Sequence, residues 1–254
     1  MKSVTRFDGK VADYAQFRER YSPEVLLPRL REWCGLHPSW TIADIGAGTG
    51  MLSDIFLANH NRTFAVEPNA EMREMCRHLH SDSSLLHIAD GTAENTGLEP
   101  SSVEMVSAGR AMHWFNLDRA TAEFQRILKP GGWVAIIAFG RTQTGNEVNE
   151  GIEDLLRQFS KDHADTHAGY KVYRELHHYF PVDFRHEEIL DSMQMDWNSL
   201  HGIVMSISHS PAKTDPVYPQ FERDLYSLFS RFESNGTIEL QTRYWINVGR
   251  FSRA

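Results

Sequence analysis

A glycine-rich turn directly after a short apolar run constrains the fold of this chain more than any other feature. The run that begins at residue 41 has β-type character and ends in an acid, Asp44. It leads into three glycines at alternate positions, Gly46, Gly48 and Gly50. Apolar residues then recur at helical spacing. A strand, a glycine turn and a helix cradle a nucleotide, because glycines allow close approach of a ligand and the helix end offers free N–H groups.

The spacing of the glycines and the position of Asp44 discriminate between kinds of nucleotide. Sites for dinucleotides typically have the pattern G-x-G-x-x-G, and a phosphate disfavours nearby negative charge. This chain has G-x-G-x-G, and its acid stands two residues before the first glycine. An acid there can accept a hydrogen bond from an ammonium group. The pattern therefore favours a ligand with a nucleoside and an amino-acid end over one with a pyrophosphate.

Strand-like and helix-like segments alternate along the first 140 residues. The predicted strands are residues 41–44, with the glycine turn reaching residue 50, and residues 63–67, 85–88, 102–107 and 133–139; helical spacing marks segments between them. This alternation predicts an α/β protein with a parallel, doubly wound sheet. Ligands of such sheets bind at the carboxyl ends of the strands.

Composition narrows the class of protein further. The 254 residues carry a formal net charge of −8, which disfavours a nucleic-acid backbone as substrate. The two cysteines, Cys34 and Cys76, fall on apolar faces of predicted helices, which favours free thiols in a reducing compartment over a disulfide. No stretch of about 18 apolar residues occurs. We expect a soluble, cytoplasmic protein without a membrane partner.

The segment Asp44-Ile-Gly-Ala-Gly-Thr-Gly50 resembles the first motif of class I S-adenosylmethionine-dependent methyltransferases. The resemblance covers residues 7–140 well and the remainder by layout. It implies a Rossmann-like sheet of seven strands, mostly parallel, with an antiparallel last strand. Residues 237–248 support this, since their apolar and polar residues alternate as in a strand with one covered face. Asp44 and the glycines would then hold the methionyl end of the cofactor.

The same resemblance assigns further cofactor contacts. Glu67 ends the second strand, where an acid accepts hydrogen bonds from the ribose hydroxyls. Residues around the adenine follow the second and third strands; they are Pro68, Asn69, Met72, Ala93 and Glu94. Asn69 also suits the N-cap of the next helix. Thr92 departs from the family pattern, in which aspartate is commoner at that place.

Two more segments resemble small-molecule methyltransferases of the trans-aconitate and ubiquinone-biosynthesis type. Residues 109–115 read G-R-A-M-H-W-F, and the resemblance places Gly109 and Arg110 at the cofactor. His113 is the candidate for contacting the acceptor or acting as a base, although a structural histidine is equally compatible. Near the N-terminus, Tyr14 and Arg18 belong to a segment that folds over the methionyl end.

We therefore expect a single methyltransferase domain. Its parts are an N-terminal lid at 1–22, a cofactor-binding core at 23–140, a helical cap with the substrate region at 141–235, and a final strand at 236–254. The predicted reaction is transfer of a methyl group from S-adenosylmethionine to a small-molecule acceptor. No histidine or cysteine spacing predicts a metal site. The sequence leaves the acceptor, the methylated atom and the oligomeric state open.

Two alternatives also stay open. A nicotinamide-dependent oxidoreductase shares the fold, but Asp44 and the glycine spacing count against it. A non-catalytic protein that binds S-adenosylmethionine as a sensor or scaffold would have the same cofactor site. Only an assay of methyl transfer separates that protein from an enzyme.

Overall fold

The computed structural model describes residues 11–160 and 172–252. Its strands are β1 (Thr41–Ile45), β2 (Arg62–Val66), β3 (Leu86–Ala89), β4 (Val103–Gly109), β5 (Leu128–Arg141), β6 (Val182–Met195) and β7 (Ile238–Arg250). Its helices are α1 (Val11–Phe17), α2 (Pro23–Cys34), α3 (Ser53–Ala58), α4 (Ala70–Leu79), α5 (Leu117–Ile127), α6 (Glu147–Phe159), α7 (Val172–Tyr179), α8 (Trp197–Met205) and α9 (Tyr218–Phe232). A single turn of 3₁₀ helix covers Met112–Trp114.

The strands form one seven-stranded sheet with the order β3-β2-β1-β4-β5-β7-β6. Strands β1 to β5 pair in parallel, and β7 pairs antiparallel with both β5 and β6. The predicted fold class, a doubly wound Rossmann-like sheet with an antiparallel last strand, is confirmed. The order reverses beside β1, so the ends of β1 and β4 form the switch point at which ligands bind.

Asparagine side chains begin several of the helices where the sequence changes from turn to apolar periodicity. Asn69 accepts a hydrogen bond from the Met72 backbone amide at the start of α4. Asn116 caps α5 and Asn146 caps α6 in the same way. Such caps satisfy amides that have no partner inside the helix. Each cap fixes the residue at which the loop after a strand ends and the next helix begins.

Helices cover both faces of the sheet. On one face, α2 and α3 pack through fully buried side chains such as Leu30 and Phe56. On the other, α5 and α7 pack through Phe124 and Leu176. A third apolar cluster joins α6, α8 and α9 to the end of β6 and the start of β7. Because β7 is antiparallel, this cap stands beside the carboxyl end of β5.

The structure differs from the sequence prediction in the segment expected to be a helical cap. Four helices lie among its described residues, but the segment also contains β6, an edge strand of 14 residues that the prediction lacked. Most side chains of β6 are exposed, so they carry no alternation of apolar and polar residues. The fifth strand also differs, since it begins at Leu128 instead of residue 133, and residues 129–132 form a bulge between the pairs Val103–Leu128 and Met105–Trp133.

Two further observations bear on the class of protein. Cys34 and Cys76 are buried free thiols, as their positions on apolar helix faces predicted. In the part of the chain that the structure describes, no helix is long and apolar enough to cross a membrane. Residues 1–10 of the predicted lid, residues 161–171 of the predicted cap and residues 253–254 lie outside the described residues.

Candidate functional site

The predicted site residues come together at the carboxyl edge of the sheet. The glycine turn follows β1, Glu67 follows β2, and Ala93 and Glu94 follow β3. Gly109 ends β4 and leads to Arg110 and the 3₁₀ turn. Parallel strands point their carboxyl ends to one side, so four loops that are distant in sequence meet there.

The glycine turn has a backbone that requires glycine. Gly46, Gly48 and Gly50 all have positive φ angles, of 67°, 58° and 90°. A Cβ atom at Gly46 would lie 2.7 Å from the Cβ of Ala111, and one at Gly50 would lie 2.6 Å from the ring of His80. A Cβ at Gly48 would meet no atom within 4 Å. The turn is therefore tightly packed at its two ends and open at its centre, where a ligand can approach the backbone.

Asp44 is fully buried under the turn. Its carboxylate accepts hydrogen bonds from the hydroxyls of Ser53, at 2.7 Å, and Ser107, at 3.1 Å. Burial raises the pKa of Asp44 to about 7, although these two hydrogen bonds oppose the shift. Asp44 also lines a small cavity of about 20 Å³ together with Gly46 and Gly109. Among the described residues Asp44 forms no ion pair, so its carboxylate is available to a ligand ammonium group.

Glu67 connects the end of β2 to the glycine turn. One carboxylate oxygen accepts from the Gly48 amide at 2.9 Å and the other from the Asn69 amide at 2.8 Å. Desolvation raises the pKa of Glu67 above its ordinary value. The Arg73 guanidinium binds the Glu67 carbonyl oxygen and forms an ion pair with Asp90, which fixes the ends of β2 and β3 together. The carboxylate thus lies at the open centre of the turn.

The residues predicted around adenine have structural partners of their own. The Asn69 side chain caps α4, and Met72 and Ala93 are buried. Glu94 accepts a hydrogen bond from the Asn116 amide at 2.7 Å, which ties the loop after β3 to the start of α5. Pro68, between Glu67 and Asn69, is partly exposed. Their proximity to Glu67 is observed, and their contact with adenine stays a prediction.

The predicted lid residues lie on α1 and just after it, over the end of β4. Tyr14 lines the small cavity and also a larger neighbouring one, whereas Arg18 lines only the larger one. Arg110 lines both and binds the buried carboxylate of Glu19 at 3.0 Å. The Arg110 guanidinium also binds the Phe139 carbonyl oxygen. Arg18 is a second partner of Glu19, so this cluster of charges lies in the wall of the larger cavity and reaches the small one through Arg110.

His113 lies in the wall of the larger cavity, which has a volume of about 470 Å³. Its Nδ1 is 3.3 Å from the hydroxyl of Tyr173 on α7. The cavity extends between the loop after β4, the end of β5, the 3₁₀ turn and helix α8. It has the size of a site for a small molecule, in the usual range of about 300–1,000 Å³. His113 is thus placed to contact an acceptor.

Sequence reasoning missed the residues that support the turn from below. His80 donates its Nδ1–H to the Cys76 carbonyl oxygen and pairs with Asp54 at 2.7 Å through Nε2. The hydrogen bond to Asp54 raises the pKa of His80 to about 10. His80 packs under Gly50, thirty positions earlier in the chain. Nothing in the local pattern of either segment marks this pair.

The buried acid Glu19 was also missed as a site residue, although it lies in the predicted lid. Burial raises its pKa, but the guanidinium groups of Arg18 and Arg110 together hold the pKa below its ordinary value. Glu19 follows Arg18 in a polar N-terminal stretch, and such a sequence pattern is typical of residues exposed on the surface. Within residues 11–160 and 172–252, no group of three His, Cys, Asp or Glu side chains is arranged to hold a metal ion.

Part of this chain is similar in sequence to known methyltransferases. Residues 43–136 match the methyltransferase domain family. An uncharacterized methyltransferase of Mycobacterium tuberculosis is 33% identical over 132 residues, which cover 52% of this chain and 51% of that protein. The chain thus spans about half the length of the curated relatives it matches.

Two solved structures share the fold. That of a proposed type II methyltransferase from Anaeromyxobacter dehalogenans has a TM-score of 0.63 at 24% identity and covers 92% of this chain and 98% of its own. Phosphoethanolamine N-methyltransferase 2 of Haemonchus contortus, in complex with phosphomonomethylethanolamine and S-adenosylhomocysteine, has a TM-score of 0.54 at 14% identity and covers 98% of this chain and 59% of its own.

The sheet order and the acid before an open glycine turn define a Rossmann-like fold with a candidate ligand site at its switch point. The matched methyltransferase domain runs from β1 into β5, which is the part of the chain that carries most of this candidate site.

Proposed function

We propose that the protein transfers a methyl group from S-adenosylmethionine to a small molecule. The observation that carries this proposal is the juxtaposition of two cavities at the carboxyl edge of the sheet. The smaller contains Asp44 and the glycine turn, and the larger contains His113. Tyr14 and Arg110 line both, so a donor in one and an acceptor in the other would meet at these two residues.

The residues present fit this cofactor. Asp44 supplies a carboxylate for the methionyl ammonium group, and Glu67 supplies a carboxylate at the open centre of the turn for the ribose hydroxyls. S-adenosylmethionine supplies a methyl carbon on a positively charged sulfur; the carbon–sulfur bond breaks, sulfur keeps the electron pair, and an acceptor atom bonds the methyl and releases its proton. The protein's tasks are to align the two molecules and to exclude water.

The chain's own side chains account for those tasks. Tyr14 of α1 and Arg110 line the small cavity, which in this arrangement has room for about one water molecule. Entry of a cofactor therefore requires α1 to move away. His113, partly exposed and within reach of Tyr173, is positioned to hold an acceptor and to receive its proton.

Calorimetric titration tests the cofactor assignment. We expect S-adenosylhomocysteine, which binds without turning over, to give saturable heat and NAD to give none. Heat with NAD alone would replace the proposal with an oxidoreductase. Saturable heat with S-adenosylhomocysteine, but no methyl transfer to any carboxylate, phenol, amine or carbon acceptor tried, would favour a non-catalytic cofactor-binding protein.

A further inference from the structure

The larger cavity is positively charged inside an acidic protein. Five arginines line it, and the one acid among the described lining residues is Glu19. The arginines are Arg18, Arg110, Arg141, Arg174 and Arg243. The whole chain has a formal net charge of −8, so this concentration of cations is local. A cleft lined by one sign of charge attracts ligands of the opposite sign.

Three of the five guanidinium groups have carboxylate partners that neutralise them. Arg110 binds Glu19 at 3.0 Å. Arg141 binds the buried Glu153 at 2.5 Å, and Arg243 binds Glu188 at 3.1 Å.

The other two guanidinium groups are not neutralised. The second cation beside Glu19 is Arg18, at 3.2 Å, so one carboxylate serves two arginines. Arg174 forms no ion pair with any of the residues that the structure describes, and its side chain is exposed at the cavity. Two positive charges are therefore left over in the cavity wall.

These two charges lie on different elements. Arg18 directly follows the lid helix α1, and the sequence assigned it to the methionyl end of the cofactor, which carries a carboxylate. Arg174 lies on α7, one residue after the Tyr173 that contacts His113. Arg174 lines the larger cavity but not the small one beside Asp44. Its charge is thus on the acceptor side.

We propose that the acceptor carries an oxyanion group, a carboxylate or a phosphate, which is bound by Arg174, with the partly neutralised Arg243 as a further N–H donor in the same cavity wall. This inference rests on the proposed function, because it assigns the larger cavity to the acceptor. A guanidinium group presents paired N–H donors that match the oxygens of either anion. Arg243 is held in place by stacking on Trp245, with its guanidinium carbon 4.6 Å from the ring centroid.

Aromatic side chains supply the rest of the cavity wall. Trp114, Phe139, Tyr173 and Trp245 line it, and the rings of Tyr173 and Trp245 are 6.3 Å apart. Such walls bind a flat or apolar body while the arginines orient its charged end. The inferred acceptor is a small anion with an apolar body.

Phenylacetate and phenyl phosphate test the inference when each is titrated into protein saturated with S-adenosylhomocysteine. Phenylacetamide and phenethylamine are the neutral and cationic controls. We expect at least one anion to bind about ten-fold or more tightly than both controls, and to weaken as salt is raised. The tighter of the two anions distinguishes a carboxylate site from a phosphate site.

The variant Arg174→Gln should weaken binding of the anion about ten-fold and leave binding of S-adenosylhomocysteine unchanged. Arg157→Gln is the matched control, because Arg157 is an exposed helical arginine outside the cavity and its loss changes the net charge equally. Equal effects of the two variants would overturn the inference. So would equal binding of phenylacetamide, or no binding of either anion to protein that binds S-adenosylhomocysteine. Failure to bind S-adenosylhomocysteine would instead contradict the proposed function.

Discussion

Asp44 is an ionisable acid whose side chain is completely buried, whereas aspartates in proteins are mostly exposed to water. Burial disfavours its charged form and places its pKa near 7 instead of the ordinary 3.8. Since the folded-state pKa is the higher one, this group's contribution to folding stability is fully present below about pH 4 and declines as the pH rises towards 7. The carboxylate thus costs stability at neutral pH, which a bound ammonium group would offset.

The affinity for S-adenosylhomocysteine should therefore depend on pH. Below pH 7 Asp44 becomes protonated and cannot pair with the ammonium group, so we expect the dissociation constant to rise by up to about ten-fold per pH unit as the pH falls. Above about pH 7.5 the curve should be flat. Calorimetric titrations between about pH 5.5 and 8.5 measure this.

The variant Asp44→Asn serves as the control for that curve. It keeps the shape of the side chain and cannot titrate, so its affinity should be lower at pH 8 and nearly independent of pH. A wild-type protein whose affinity does not change over this range, or an asparagine variant with the same slope, would remove Asp44 from the cofactor site.

At the scale of elements, α1 forms part of the wall of the small cavity through Tyr14, which is where the predicted lid would act. The helix packs against α8 of the cap, where the absence of a side chain at Gly202 makes room for the ring of Phe17. A Cβ at Gly202 would lie 2.2 Å from Cγ of that ring, which is too close for the ring to avoid by rotation. After α1 the chain is anchored by Ser22, whose amide donates to the hydroxyl of Tyr244 on β7. The predicted lid is thus held in two places, by the contact of Phe17 with α8 and by the hydrogen bond of Ser22 to Tyr244.

Gly202→Ala should undock the lid. Alanine favours a helix by about 1 kcal/mol over glycine, so α8 itself gains stability while its contact with Phe17 is lost. We expect S-adenosylhomocysteine to dissociate faster and its affinity to fall about ten-fold, and α1 to become more sensitive to protease. Stopped-flow dissociation and limited proteolysis report these changes.

Gly151→Ala is the matched control for the lid. Gly151 lies in cap helix α6, and an added Cβ would meet a terminal methyl of Leu228 at 2.5 Å, which can rotate away. It should leave the dissociation rate unchanged. If Gly202→Ala also leaves that rate unchanged, the docking of α1 on α8 does not retain the cofactor.

At the scale of the whole molecule, the sheet and the position of the site could be predicted because both follow from local patterns. Alternating apolar runs and helical spacing predicted β1 to β5, and parallel strands necessarily bring their carboxyl ends together. Asp44 and Glu67 were found for the same reason, since each lies at a fixed offset from a strand end. Their roles towards a cofactor came from family resemblance.

What the sequence did not predict depends on contacts between distant segments. The edge strand β6 exposes most of its side chains, so it has no apolar periodicity to detect. His80, at the end of α4, packs against Gly50, which lies thirty positions earlier. The buried Glu19 pairs with Arg110, which lies 91 positions later in the chain. The charge of the larger cavity arises likewise from arginines on five separate segments. No single window of sequence contains such information.

The most direct test of the cofactor site compares two acids at opposite ends of the sheet. Glu67 receives backbone amides at the carboxyl edge, and Glu104 receives the Thr41 amide at the amino end of β1. Titration of S-adenosylhomocysteine into Glu67→Gln should show binding weakened by about 1–3 kcal/mol, the usual effect of losing a hydrogen bond to a charged group. Glu104→Gln should bind like the wild type. Undiminished binding by folded Glu67→Gln, or equal losses in both variants, would contradict a cofactor site at the carboxyl edge.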